Sequence, residues 1–84
     1  MLNYTDTLDN ENSRVYVRVN EYNEVVEVNS SNFITDYTGW VYIDEGNGDR
    51  YAHAQNHYFN KPLMSQSGIY NYYLLNGIIM DRGI

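Results

Sequence analysis

The chain has 84 residues, room for one domain, and its formal net charge of −6 comes from eleven acidic against five basic side chains. An acidic chain without clustered Lys and Arg has no electrostatic footprint for phosphate backbones, which excludes nucleic acid as a partner. Cysteine is absent, removing disulfides and thiolate zinc sites, so a domain this small is expected to lean on oligomerisation or on docking to a larger partner.

The acidity keeps the chain soluble, and it also suits a face that docks on a basic partner. No apolar run approaches the roughly 20 residues a bilayer span needs, so no membrane association is expected. Residues 1–13 lack the charged-then-apolar order of a signal peptide, so the protein is expected to stay in the cytoplasm where it is made. Tyrosine stands out, with ten residues against two Phe and one Trp. It fits strands that are part buried and part wet, and equally a binding surface for protein or sugar.

Residues 1–13 are polar and aperiodic and read as a flexible leader; residues 14–84 read as one β-rich domain. From Arg14, Val15, Val17 and Val19 alternate with Tyr16, Arg18 and Asn20, the period of a half-buried strand. A second run, Glu24 to Asn29, puts Val26 and Val28 on one face, and Asn23 between the runs tolerates a left-handed turn, so the two make a hairpin. Phe33 and Ile34 form an apolar plug. Trp40 to Asp44 alternates again, with Val41 and Ile43 opposite Trp40 and Tyr42, and Glu45 to Asp49 closes this strand with two glycines.

Asp49 to Phe59 changes period. Asp49 is an N-cap candidate and Tyr51, Ala54 and Tyr58 recur at helical spacing, so one short helix is predicted, stopped before Pro62. Ile69 to Leu75 and Ile78 to Met80 flank Asn76-Gly77, the strongest short signal for a hairpin. The expected fold class is α+β and mostly β: two antiparallel hairpins, a middle strand and one short helix in a single small domain.

Asp49, His53 and His57 fall at i, i+4 and i+8, which on a helix aligns one carboxylate and two imidazoles. Such a face can hold zinc, although the glutamate of a zinc hydrolase is missing because Ala54 follows His53; the alternative is that the histidines stack on nearby tyrosines. Asp44, Glu45, Asn47 and Asp49 gather oxygens without the spacing of a calcium loop. The sequence has no phosphate loop, nucleophile elbow or cysteine nucleophile, so no catalytic residue and no cofactor are assigned and a non-enzymatic role is expected. Trp40, Tyr42, Tyr70, Tyr72 and Tyr73 are read as an aromatic shelf, with Trp40 itself mostly buried. The binding candidates are Trp40, Tyr42, Tyr51, His53, His57, Tyr70 and Tyr72.

The run from Thr38, TGWVYIDEGNGDRYAHAQNHYFNKPLMSQSGIYNYYLLNGIIMDR, resembles small proteins of tail and baseplate gene clusters in phages and prophages of Gram-positive bacteria. The shared pattern is a GW-x-x-ID-x-G-x-GD-x-Y-x-HAQ core, then K-PL, a turn and a Y-Y-L-NG hairpin. Gly39, Trp40, Asp44, Gly48, Asp49, Tyr51, His53, Ala54, Gln55, Tyr58 and Phe59 match it. The likeness runs from about Arg14 to Arg82, and the upstream hairpin YVRVNEYNEVVEVNSSNF resembles the usual beginning. Those relatives continue past the last hairpin into an acidic helical tail and have a shorter leader than this sequence, which ends at Ile84.

The resemblance implies phage origin and tail association, with a protein partner, a place in the virion tail or the host-cell cytoplasm, and a homo-oligomer as an option. It brings no catalytic residue. Three readings follow: a tail, baseplate or fibre-associated protein that works by protein–protein binding; a small acidic phage protein that inhibits or triggers a host defence protein; and a carbohydrate-binding module.

Overall fold

A computed structural model describes residues 12–82. Strands β1 (Ser13–Val19), β2 (Val25–Ser30) and β3 (Val41–Gly46) form an antiparallel sheet in the order β2-β1-β3. Two one-turn helices follow, α1 (Asp49–Ala52) and α2 (Ala54–His57), and then a hairpin of β4 (Tyr72–Leu75) and β5 (Ile78–Asp81). The protein is thus mostly β, as the alternation predicts. Of the expected leader only Asn12 and Ser13 lie among the described residues, and Ser13 is already the first residue of β1, opposite Gly46. No helix among the described residues is long and apolar enough to cross a membrane.

The β1–β2 turn is built on one side chain. The Asn20 carboxamide oxygen accepts from the backbone N–H of Tyr22 at 2.9 Å and of Glu24 at 3.0 Å, while Asn23 takes the positive φ of 63°. An asparagine at this position mimics a backbone acceptor and fixes the turn locally. Val15 and Val17 are fully buried, confirming the inward face of β1.

On β2 the expected face shifts. Arg18 pairs with Glu27 but Val19 pairs with Val25, so Val26 is an extra residue. This bulge turns Val25 fully inward, whereas Val26, predicted to share a face with Val28, is only half-buried. On β3 Val41 and Ile43 both reach the core, as alternation predicts, and a second bulge at Ile43 puts Asp44 opposite Val15.

The predicted single helix over Asp49 to Phe59 is broken at His53, whose φ of −124° and ψ of 53° leave the helical region. The Asn32 carboxamide donates to the Ala52 carbonyl at 3.4 Å, and Asn56 N–H turns to the His53 carbonyl instead. The kink turns Ala54 inward, where it is buried.

The last expected strand also splits. Leu63 to Ser65 pair with Ile69 to Asn71 through a Met64–Tyr70 bridge, and only from Tyr72 does the chain join β5. Asn76 (φ 53°) and Gly77 (φ 81°) make the predicted tight turn. The core sits where these parts meet: Val17, Val25 and Tyr72, flanked by Val19, Val28, Val41, Ile43, Phe59, Leu63 and Ile79. The terminal hairpin is tied to the sheet by a Glu24–Tyr73 bridge and a bond from Leu74 N–H to the Asn23 carbonyl.

Candidate binding surface

The segment around Asp44 to Tyr58 builds the fold. Gly46 lies under the Tyr51 ring, so close that a β-carbon there would meet ring carbons at 2.6 Å. The Tyr58 hydroxyl donates to the Asp44 carboxylate at 2.8 Å, and the Arg50 guanidinium covers the Tyr58 ring at 4.4 Å. Tyr51, one of the binding candidates, is therefore a half-buried packing residue.

Burial, with the bond to Asp44 as the second cause, pushes the Tyr58 phenol up to about 12 from its ordinary 10.0. The unfolded chain then loses this proton first, so the contribution to stability is complete below pH 10 and lost as the pH rises through about 12. Alkaline titration followed by tyrosinate absorbance is expected to show one late-ionising tyrosine that Tyr58→Phe removes. In that variant the fall in stability across the same window should be shallower, and an unchanged fall would contradict the assignment.

The histidine set does not assemble as a metal centre. His53 Nδ1 lies 3.4 Å from Asp49 Oδ1, but His53 and His57 stand edge to face with ring centres 6.4 Å apart. The break at His53 ends the continuous helical face that the i, i+4, i+8 spacing requires. Among the described residues no group of three His, Asp or Glu side chains is placed to hold an ion. His53 instead packs against Phe33, at 5.6 Å between ring centres.

The aromatic shelf divides into separate places. Tyr72 is buried, its ring 4.3 Å from that of Phe59 and its hydroxyl accepting from Lys61 N–H, so it belongs to the core and not to a binding face. Tyr70 is half-buried in its bridge to Met64. Trp40 is half-buried, with the Arg18 guanidinium covering its ring at 4.8 Å.

Tyr42 lies on the outer face of the three-stranded sheet with two tyrosines that sequence reading passed over. Tyr16 meets Tyr37 at 4.9 Å and Tyr42 at 5.9 Å, both edge to face. Strand alternation already put Tyr16 opposite the buried valines, and that was the signal for it. The Tyr42 hydroxyl donates to Glu45 at 3.0 Å, a bond that raises its pKa. The T-shaped contacts turn these rings toward one another, so they do not form one flat platform.

A further exposed apolar surface is the outward face of the terminal hairpin. Tyr73 pairs with Met80 and Leu75 with Ile78, which places all four side chains on one face. Leu75 is 50% and Ile78 62% exposed, and Met80 is also exposed. Tyr22, at 73% the most exposed large hydrophobic among the described residues, lines a shallow cleft of about 380 Å³ with Tyr73, Asp81 and Arg82. From Tyr72 to Met80 the chain carries no charge. At its base the charges are paired, Arg82 with Glu24 at 2.7 Å and Lys61 with Asp81 at 2.8 Å. The register set by Asn76-Gly77 was the sequence signal for this face, since it alone fixes which residues lie opposite.

Compared with protein-family models, with curated proteins and with solved structures, the chain finds no match.

Proposed function

We propose that this chain is a non-enzymatic protein-binding module of a phage or prophage tail, associated with the baseplate or fibre. It docks through the outward face of its terminal hairpin on an apolar patch of a larger tail protein. One observation carries the reading: Leu75, Ile78 and Met80 lie exposed and uncharged on one face of the hairpin, beside Tyr73, whose ring Arg82 covers in part at 5.5 Å. Interface cores have this composition, enriched in aromatics and Met and depleted of charge. Burying Leu75 and Ile78 removes apolar surface worth about 1 kcal/mol or more for each.

Tail association is supported by the likeness of the Gly39 to Phe59 motif to tail-cluster proteins. Quantitative mass spectrometry of purified particles from the producing strain tests it. The expected result is this chain at a fixed number per particle. Absence from particles, with abundant protein in the infected cytoplasm, would overturn the reading and favour an acidic protein that acts on a host defence component.

A further inference from the structure

Three sheet edges face outward among the described residues, and two of them are guarded. Edge strand β2 carries a bulge at Val26 and the charge of Glu27, and its Ser30 N–H is taken by the Asn29 carboxamide at 2.8 Å. Edge strand β3 carries a bulge at Ile43 and two carboxylates, Asp44 and Glu45. Bulges and charges are the usual devices that stop strands from pairing with another chain. β5 has neither: it runs Ile78, Ile79, Met80 without bulge, charge or proline, and its terminal Asp81 is neutralised by Lys61.

The hydrogen-bond phase shows that this edge presents backbone groups. Arg82 N–H bonds to the Asn71 carbonyl at 3.0 Å, so residues 71 and 82 form a bonded pair. Alternation then makes Leu74 and Ile79 a non-bonded pair, and each points its N–H and C=O away from the other. Leu74 confirms this phase, because its N–H reaches Asn23 on the far side at 2.8 Å. Ile79 therefore directs its backbone groups to the outer edge, where no partner is described. Two strands alone are marginal in water, and three or more are needed for a stable sheet.

We infer that the β5 edge pairs with the β5 edge of a second copy of this chain, antiparallel about a two-fold axis, giving a four-stranded sheet β4-β5-β5-β4. A second copy is selected over another partner by charge. The chain is acidic overall, yet this edge is neutral and apolar, so two copies meet here without opposing like charges. With the axis at Ile79, Asp81 falls opposite Gly77 of the second copy. The two Asp81 carboxylates are then four residues apart along the strand, roughly 13 Å. That separation exceeds the screening length of about 8 Å at physiological salt. A two-fold contact of this kind is self-complementary and closes at the dimer.

The inference rests on the hairpin being the binding element, but it is read on the purified chain alone. A monomer that still enters particles overturns the dimer and leaves the docking; a dimer absent from particles does the reverse. Sedimentation of the full chain is expected to give twice the 9.9 kDa chain mass at high concentration. Met80→Lys, which places a cation on each edge, should weaken the dimer at least tenfold with the circular dichroism unchanged. As a second measurement, the Ile79 amide should exchange with solvent at least tenfold more slowly in concentrated than in dilute protein. A single-chain mass at every concentration overturns the inference. So does a dimer that leaves Ile79 unprotected, which places the contact elsewhere. Ile79 protection independent of concentration would also overturn it, because the edge would then be covered within one chain.

Discussion

Tyr72→Ala is expected to lower the unfolding free energy by about 3–5 kcal/mol, the range for removing a large buried ring. Among the described residues Tyr72 is one of five buried hydrophobic side chains, with Val15, Val17, Val25 and Ala54. Its ring joins the hairpin to Phe59, and its hydroxyl satisfies the Lys61 N–H. A chain of 84 residues has a total stability of about 4–13 kcal/mol at the usual value per residue, so this one loss is a large share of it. Tyr70→Ala, two positions earlier, is expected to cost about 1 kcal/mol or less, as substitutions away from such features do. Urea unfolding of both variants measures the contrast. Equal small effects would return Tyr72 to the list of surface residues.

Gly46→Ala is expected to destabilise by about 1–3 kcal/mol, the cost of overpacking. The backbone at Gly46 is ordinary, so alanine in this strand would otherwise gain about 0.5–1 kcal/mol over glycine. The Tyr51 ring reverses that sign, because its carbons lie 2.6–2.9 Å from where the new β-carbon must go. The ring is held by Tyr58 and Arg50 and has to move against both. In a Tyr51→Ala background the same substitution should be neutral or stabilising, and a double-mutant cycle reads the difference. A neutral Gly46→Ala in the otherwise unchanged chain would contradict this packing.

The elements were legible in the sequence wherever one local pattern decided them. Alternation from Arg14 to Asn20 has a single phase, and Asn76-Gly77 imposes positive φ at both turn positions. What escaped depends on partners distant in sequence. A bulge is one extra residue, and nothing in VVEV tells whether Val25 or Val26 faces inward; the choice is made by pairing with Val19. The helix break at His53 coincides with a bond to the Ala52 carbonyl from Asn32, 20 residues away, which no local pattern reveals. Tyr70 and Tyr72 share a phase on paper, but the chain changes pairing partner at Asn71, so one is half-buried and the other buried.

The candidate site was hidden for a related reason. Aromatic counting drew attention to Trp40, Tyr42 and Tyr72, whereas the exposed face is mostly aliphatic and exists only because two strands lie in register. Of the residues singled out from sequence, Tyr51 serves the fold and Tyr72 the core. His53 and His57 stay on the surface without a shared ligand.

The central claim, that the outward hairpin face docks this chain on a tail partner, is tested most directly by Leu75→Lys. Leu75 is half-exposed on β4, away from the β5 edge, so a lysine there leaves the core and the proposed dimer edge intact. Particles are assembled with wild-type or variant chain, and the copies per particle are counted by mass spectrometry. A desolvated charge at an interface core costs well over 1.4 kcal/mol, so incorporation is expected to fall at least tenfold. Equal incorporation of a folded Leu75→Lys chain would contradict docking through this face.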